Sequence, residues 1–191
     1  MGMERIAALR GYPEIVVFDT ETTGLGADAR IVEIAAVLLR DGRVVDEFRS
    51  LVNPGIRIPH SATKIHGIDD AMVRDAPPSS VALRAFGRFV ERRPLAAHNA
   101  AFDRRMLARD LARCGLRVPG GALYCTCRIA RRVFPSASSH RLTSLAAMLE
   151  IRANAAHRAL SDARLAASVL DACLVRSGAS LDRIHGVPLT W

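Results

Sequence analysis

The stretch that decides the fold is Ile15-Val16-Val17-Phe18-Asp19-Thr20-Glu21-Thr22-Thr23-Gly24. Its β-branched and aromatic first half predicts a buried strand over residues 15–19, and its end is typical of a turn. Because side chains alternate along a strand, Asp19 and Glu21 are expected to project to the same side. Two like charges side by side favour a bound cation. Turn-forming or solvated acids are the alternative.

Two more strands are predicted directly downstream. Residues 31–39 and 43–52 have strand-like patterns, and Asp41-Gly42 between them is a strong hairpin signal. The patterns then predict helices near 69–74 and 80–91, a strand at 94–97, a helix at 100–114 capped by Asn99, a strand near Leu123, helices at 126–133 and 142–149, and a long helix from Leu160 to before Gly178. This order predicts an α/β fold with a mixed sheet flanked by helices.

Length and composition favour a single compact domain over residues 1–191. Half of the residues are hydrophobic and 24% are charged, as in ordinary globular proteins. No apolar run reaches the roughly 18 residues that span a bilayer, so neither a membrane partner nor a signal peptide is expected. The cysteines at 114, 125, 127 and 173 lack zinc-site spacings. We interpret them as reduced thiols in a cytoplasmic protein, with a metal or redox role as the alternative.

The charge of the chain favours a polyanionic partner. Its net charge is +8, and every basic residue except Lys64 is an arginine, whose guanidinium matches phosphate oxygens well. Arginine usage that merely reflects genome composition and a solvated surface is the alternative, so charge alone does not decide for nucleic acid.

Two further acids lie on apolar helical stripes that should face the core. The stripes are Asp103-Leu107-Leu111-Cys114 and Asp162-Ala166-Val169-Cys173. Burying an ionised carboxylate without partners costs several kcal/mol, so a metal ion or fixed donors should lie beside each acid. For Asp103, an edge position paired with an arginine is the alternative.

A histidine accompanies the last acid. An ideal helix would place His157 and Asp162 about 140° apart, so we expect His157 on the loop or first turn before the helix.

Carboxylates from three segments form an all-oxygen ligand set that suits Mg²⁺ or Mn²⁺ rather than zinc. Two such ions would activate water and stabilise charge on a phosphate. An imidazole could take the proton from that water, although a lone histidine is more often structural.

Three motifs resemble the DnaQ-like exonucleases of the DEDDh type, which include the epsilon proofreading subunit of bacterial DNA polymerase III. They are Val17-Phe18-Asp19-Thr20-Glu21-Thr22-Thr23-Gly24, His98-Asn99-Ala100-Ala101-Phe102-Asp103 and His157-Arg158-Ala159-Leu160-Ser161-Asp162. Two intervening segments, Ile65-His66-Gly67-Ile68 and His140-Arg141-Leu142, also resemble family features. The match covers about residues 14–175 of the chain, taken in order. One departure is Cys125, where family members often carry an acidic residue.

The resemblance implies a ribonuclease H-like fold and roles for individual residues. By this resemblance the metal ligands are Asp19, Glu21, Asp103 and Asp162, and the implied cofactors are two Mg²⁺ or Mn²⁺ ions. General-base duty falls to His157, and Thr22 and His66 are expected to contact the terminal nucleotides.

The implied activity is 3′→5′ exonuclease action on single-stranded or frayed nucleic-acid ends. DNA is favoured, because Glu21-Thr22-Thr23-Gly24 looks more like epsilon than like the RNA-trimming members. An exoribonuclease similar to oligoribonuclease or RNase T is the first alternative, and a non-catalytic nucleic-acid-binding or polymerase-accessory module is the second. A DNA polymerase is a candidate partner, in replication or repair.

Overall fold

A computed structural model describes residues 14–40, 43–117, 121–152 and 157–185. Within these ranges one mixed sheet carries helices on both faces. The strands are β1 (Glu14–Thr22), β2 (Ile31–Arg40), β3 (Arg43–Leu51), β4 (Leu95–Ala97) and β5 (Leu123–Cys125). The helices are α1 (His60–His66), α2 (Asp70–Val73), α3 (Ser79–Val90), α4 (Ala101–Arg113), α5 (Thr126–Val133), α6 (Leu142–Met148), α7 (Ala159–Ser177) and α8 (Leu181–His185).

The sheet has the strand order β3-β2-β1-β4-β5, so β1 is the central strand. β1 pairs antiparallel with β2, and β2 pairs antiparallel with β3. β4 runs parallel to β1, and β5 runs parallel to β4. The predicted mixed sheet with three antiparallel first strands is therefore confirmed. The hairpin turn predicted at Asp41-Gly42 lies outside the described residues, although Arg40 and Arg43 pair beside it.

Alternation along β1 builds a core on each face of the sheet. Val16 and Phe18 face the layer of α3 and α4, where the Phe18 ring lies 5.6 Å from that of Phe86. Ile15 and Val17 pack in the opposite layer, which includes α5 and α7. Both faces of β1 are therefore covered, and of the polar residues that follow its apolar run Thr20 is buried while Asp19 and Glu21 are partly buried.

Two helices were not predicted from the sequence, and one predicted helix cap is wrong. Helix α1 was not predicted, because the prolines and glycines around it favoured irregular chain; it ends at Gly67, whose φ of 72° suits glycine. The short α8 was not predicted either. Asn99 does not cap α4: its φ of 61° is left-handed, whereas an N-cap residue is typically extended, and Ala100 precedes the helix instead.

Two smaller expectations can be compared with the structure. The four cysteines are free, and their redox state stays a prediction. Among the helices of the described ranges, none is long and apolar enough to span a membrane.

Candidate active site

The end of β1 supplies the first two carboxylates. Asp19 and Glu21 project to one side, and one oxygen of each lies with an oxygen of Asp162 in a group whose members are all within 4.8 Å of one another. All three residues are partly buried. The alternation that the sequence predicted at this strand end is therefore present.

Helix α7 brings the third carboxylate to β1. Asp162 lies in the first turn of α7, while Ala166, Val169 and Cys173 further along the same stripe are buried against the sheet. His157 precedes the helix, as expected, with a left-handed φ of 59°. Its backbone N–H donates to the Asp162 carboxylate, and its side chain is exposed. This arrangement holds the acid beside β1 and leaves the imidazole open to solvent.

Helix α4 brings the fourth carboxylate to the opposite side of β1. Asp103 is only 2% exposed, and its Oδ1 accepts the Thr20 hydroxyl at 2.7 Å and the Thr20 N–H at 3.2 Å. The fixed donors expected beside this buried acid are thus supplied by Thr20. Asp103 is not in the group of three close oxygens, but its charge acts on Asp19 and Glu21.

Burial raises the pKa of all four carboxylates, and repulsion between them adds to this for Asp19 and Glu21. Burial, followed by repulsion from Asp103 and Glu21, raises the pKa of Asp19 well above its ordinary value. Burial and repulsion from Asp162 raise the pKa of Glu21 to about 8. Burial raises the pKa of Asp103 to about 7 and also raises that of Asp162. At neutral pH such a cluster is favourable only when positive charge enters it.

The donor set fits hard divalent cations. Three carboxylate oxygens from β1 and α7 lie together, and the Asp103 carboxylate of α4 is near enough for its charge to act on Asp19. Carboxylate oxygens are the type of ligand that Mg²⁺ and Mn²⁺ prefer. The convergence of like charges gives a second reason for a cation here, because removing ionised groups from water without compensation is costly. The residues present therefore fit the metal ions that the family resemblance implies.

The two predicted nucleotide-contacting residues lie together beside Glu21, and both are buried. The Thr22 hydroxyl donates to the Gly24 carbonyl at 2.8 Å. The Ile68 N–H donates to Nδ1 of His66 at 3.0 Å, so His66 carries its proton on Nε2, which lies 3.3 Å from the Thr22 carbonyl. Burial lowers the pKa of His66, which favours this neutral form. Their contact with nucleotides stays a prediction.

Sequence reasoning missed one charged residue of this region. Glu33 in β2 is fully buried and lies opposite Glu21 in the β1–β2 ladder. Burial raises its pKa, but Arg158, the Ala159 N–H and Arg49 outweigh burial and hold the pKa below its ordinary value. Glu33 is therefore ionised at neutral pH. A single acid in the apolar run of residues 31–39 was the signal that could have identified it.

A second missed group lies at the second motif. His98 Nε2 lies 2.9 Å from the His140 carbonyl and Nδ1 lies 2.8 Å from the Thr126 hydroxyl. A carbonyl can only accept, so Nε2 carries the proton and Nδ1 accepts from Thr126. Burial lowers the pKa of His98, which agrees with a neutral ring. His98 thereby ties the loop that enters α4 to α5 and to the His140 segment.

The chain matches a known protein family. The model of an exonuclease family, RNase T, matches residues 16–170 of the chain. The chain belongs to this exonuclease family. The matched range contains all four carboxylates and His157, so the resemblance to DnaQ-like exonucleases of the DEDDh type is confirmed.

Curated relatives of this exonuclease share the domain within much longer proteins. A Mycobacterium tuberculosis (strain CDC 1551 / Oshkosh) protein described as a bifunctional exonuclease/endonuclease is 42% identical over 172 residues, 85% of this chain and 27% of that protein. A PolC-type DNA polymerase III from Caldanaerobacter subterraneus subsp. tengcongensis is 38% identical over 167 residues, 87% of this chain and 12% of the polymerase. The chain thus spans about a quarter or less of the length of these relatives.

Solved structures of exonucleases share the fold. Exonuclease X in complex with 5′ overhanging duplex DNA has a TM-score of 0.76 and 31% identity, covering 90% of this chain and 97% of that one. The nuclease domain of 3′hExo, a DEDDh family member bound to rAMP, has a TM-score of 0.78 and 19% identity, covering 91% and 97%. The ribonuclease H-like fold is thereby confirmed. The exonuclease is a nuclease hydrolase of a family that uses divalent metal ions.

Proposed function

We propose that this chain is a metal-dependent 3′→5′ exonuclease that hydrolyses phosphodiester bonds at nucleic-acid 3′ ends and releases nucleoside 5′-monophosphates. The observation that carries the proposal is the convergence of Asp19, Glu21 and Asp162 within 4.8 Å, with Asp103 held on the other side of β1. Family membership supports nuclease chemistry at this cluster. Single-stranded or frayed ends are the proposed substrates, since the scissile phosphate must enter the cluster.

The four carboxylates would hold the metal ions. When bound, two Mg²⁺ or Mn²⁺ ions supply activation of water and stabilise charge on the phosphate and the departing 3′ oxygen. Asp19 and Glu21 present their oxygens from a strand covered on both faces, and Asp103 is fixed by Thr20, so these ligands are preorganised. The four carboxylates would accept a negatively charged phosphate beside them only when cations are bound.

His157 is proposed as the general base. Its side chain is exposed beside Asp162, so it can reach a solvent molecule that approaches the carboxylate cluster. An imidazole accepts a proton from water efficiently near neutral pH. Placement directly before α7 fixes its backbone and leaves its ring free to face the substrate.

Thr22 and His66 are proposed to support the terminal nucleotide. His66 donates to the Thr22 carbonyl and so holds the chain directly after Glu21 against α1. The residues that follow Glu21 therefore have a fixed path next to the carboxylates. A nucleotide seated there would meet an ordered surface rather than a loop that must first adjust.

DNA is the favoured substrate. The relatives include PolC-type DNA polymerases III, and Exonuclease X was solved with DNA. These likenesses also support a DNA polymerase as partner, in replication or repair, and a cytoplasmic location stays a prediction. Co-purification of a polymerase with the tagged chain tests the partner.

The substrate and polarity are tested with matched oligonucleotides. We expect Mg²⁺-dependent release of mononucleotides from a 3′-labelled DNA strand, and a phosphorothioate at the 3′-terminal linkage should slow it while one at the 5′ end should not. If an RNA of the same sequence is degraded faster than the DNA, RNA rather than DNA is the preferred substrate. Cleavage from the 5′ end or at internal positions would refute the proposal.

The metal site is tested by Asp19→Ala. We expect loss of Mg²⁺-dependent digestion with an unchanged circular dichroism spectrum. The variant lacks the Asp19 carboxylate, which is the proposed metal ligand whose pKa burial and the neighbouring acids raise. Asp46→Ala is the matched control: Asp46 is an exposed acid of β3 at the level of Leu38 and Val16, away from the strand end. Undiminished digestion by Asp19→Ala would overturn the assignment.

A further inference from the structure

The buried carboxylate of Glu33 is fully engaged by four donors. Oε1 accepts from Arg158 Nη2 at 2.8 Å and from Arg49 Nε at 2.9 Å. Oε2 accepts from Arg158 Nε at 3.1 Å and from the Ala159 N–H at 3.0 Å. The side chain of Glu33 is 0% exposed, whereas that of Arg158 is 28% exposed. Glu33 is therefore committed to holding its donors and has no free oxygen to offer as a further metal ligand.

These donors lie at the start of α7. Arg158 precedes the helix with extended backbone and has no side-chain cap hydrogen bond of its own. Glu33, which is 126 residues earlier in the chain than Ala159, accepts the first helical N–H in place of a local cap. The two-point pairing with the Arg158 fork holds the start of α7 against β2.

The clamped point lies between two residues of the candidate active site. His157 is the neighbour of Arg158 on one side, and Asp162 accepts the His157 N–H and donates its own N–H to the Arg158 carbonyl at 3.0 Å. On the strand side, Glu33 lies directly opposite Glu21. One carboxylate thus connects the strand pair that carries Asp19 and Glu21 to the helix start that carries the other two groups.

We propose that Glu33 and Arg158 are positioning residues, which set the distance and orientation of His157 and Asp162 relative to Asp19 and Glu21. This proposal rests on the proposed function. Neither residue takes part in the chemistry. Small misplacements of reacting groups cost on the order of 100-fold in rate. Loosening the clamp formed by Glu33 and Arg158 should therefore lower kcat more than it weakens substrate binding.

The same helix offers a matched control pair. Arg164 of α7 forms a similar two-point pairing with Glu47 of β3, at 2.8 and 2.5 Å. That pair is partly exposed, and it is further along α7 than Asp162. Both pairs join the same helix to the sheet, but only the Glu33–Arg158 pair adjoins the candidate active site.

The experiment compares Arg158→Lys and Glu33→Gln with Arg164→Lys and Glu47→Gln. Lysine keeps the charge but loses the fork. We expect the first two variants to lower kcat about 30-fold or more with KM for a single-stranded oligonucleotide within about threefold, and the control variants to stay within about twofold of wild type. The Arg158→Lys/Glu33→Gln double variant should be no slower than the worse single variant, since both break one unit.

Hydrogen exchange supplies a readout that does not depend on activity. We expect amide exchange in the segment 158–165 to accelerate at least about tenfold in Arg158→Lys and Glu33→Gln, with the sheet unchanged, because each variant weakens the contact between Glu33 and the helix start. Unchanged amide exchange in this segment would show that the pair does not hold the helix start. Faster exchange combined with a wild-type kcat per folded molecule would show that holding the helix start does not position the site, and either result overturns the proposal. If the wild-type chain digests no nucleic acid, the proposed function fails, and the exchange data alone then decide whether the clamp exists.

Discussion

Replacing Asp103 with asparagine should make the metal-free protein more stable while removing its activity. The Asp103 carboxyl is buried, and its pKa is raised from an ordinary 3.8 to about 7. A carboxyl whose pKa is higher in the folded protein than in the unfolded chain stabilises the fold only when protonated. That stability is fully present below pH 3.8 and is lost as the pH rises towards about 7.

The size of the effect follows from this pKa. Each pKa unit corresponds to about 1.4 kcal/mol, so ionising Asp103 at pH 8 costs the fold at most about 4 kcal/mol. Asparagine keeps an oxygen that accepts from the Thr20 N–H and hydroxyl, so most of the local hydrogen bonding survives. We expect about half of the upper limit, or about 2 kcal/mol, which raises Tm by roughly 4–8 °C for a chain of this size.

The assay is thermal unfolding in the presence of a chelator at pH 5 and pH 8. We expect the advantage of Asp103→Asn over wild type to be larger at pH 8 than at pH 5, because wild-type Asp103 is protonated in the folded protein at the lower pH. Excess Mg²⁺ should reverse the order, since only the wild-type carboxylate gains from a cation. A variant that is less stable than wild type at pH 8 in chelator would refute the electrostatic reasoning.

Three further predictions concern groups around the carboxylates. Thr20→Val removes the hydroxyl that donates to Asp103 and should lower kcat about tenfold, and Thr20→Ser should restore it in the same assay. His157→Ala should reduce kcat by about 10²–10⁴-fold with Mn²⁺ affinity retained in calorimetry; lost affinity would show that its role is wrongly assigned. His66→Ala should raise KM for the oligonucleotide by loosening the Thr22 backbone, and an unchanged KM would argue against this.

The sheet and the first motif could be predicted because they depend on local pattern. The β-branched run before Asp19 forms a strand, and the period of two places Glu21 on the same side as Asp19. The helical stripe under Asp103 correctly predicted a buried acid, since an apolar stripe faces the core wherever the helix docks. Placement of His157 before its helix followed from the angle between residues.

Other elements could not be predicted, because neighbours in space decide them. Helix α1 is short and bounded by Pro59 and Gly67, which also mark irregular chain; burial of Ala62 against Ile58 and Ile68 stabilises it. Asn99 has the composition of an N-cap, yet its left-handed backbone starts the turn that leads from β4 into α4. Propensity gives only a weak prior at such short elements.

The sequence by itself predicted which carboxylates lie at the candidate site, because alternation and helical period are properties of consecutive residues. It did not identify Glu33, although this is the one acid within the apolar run of β2. Only the tertiary structure decided what these acids contact. Thr20 lies 83 residues from Asp103, and Glu33 lies 125 residues from Arg158. Contacts at that separation exist only after the sheet and both helix layers have packed, so no local pattern encodes them.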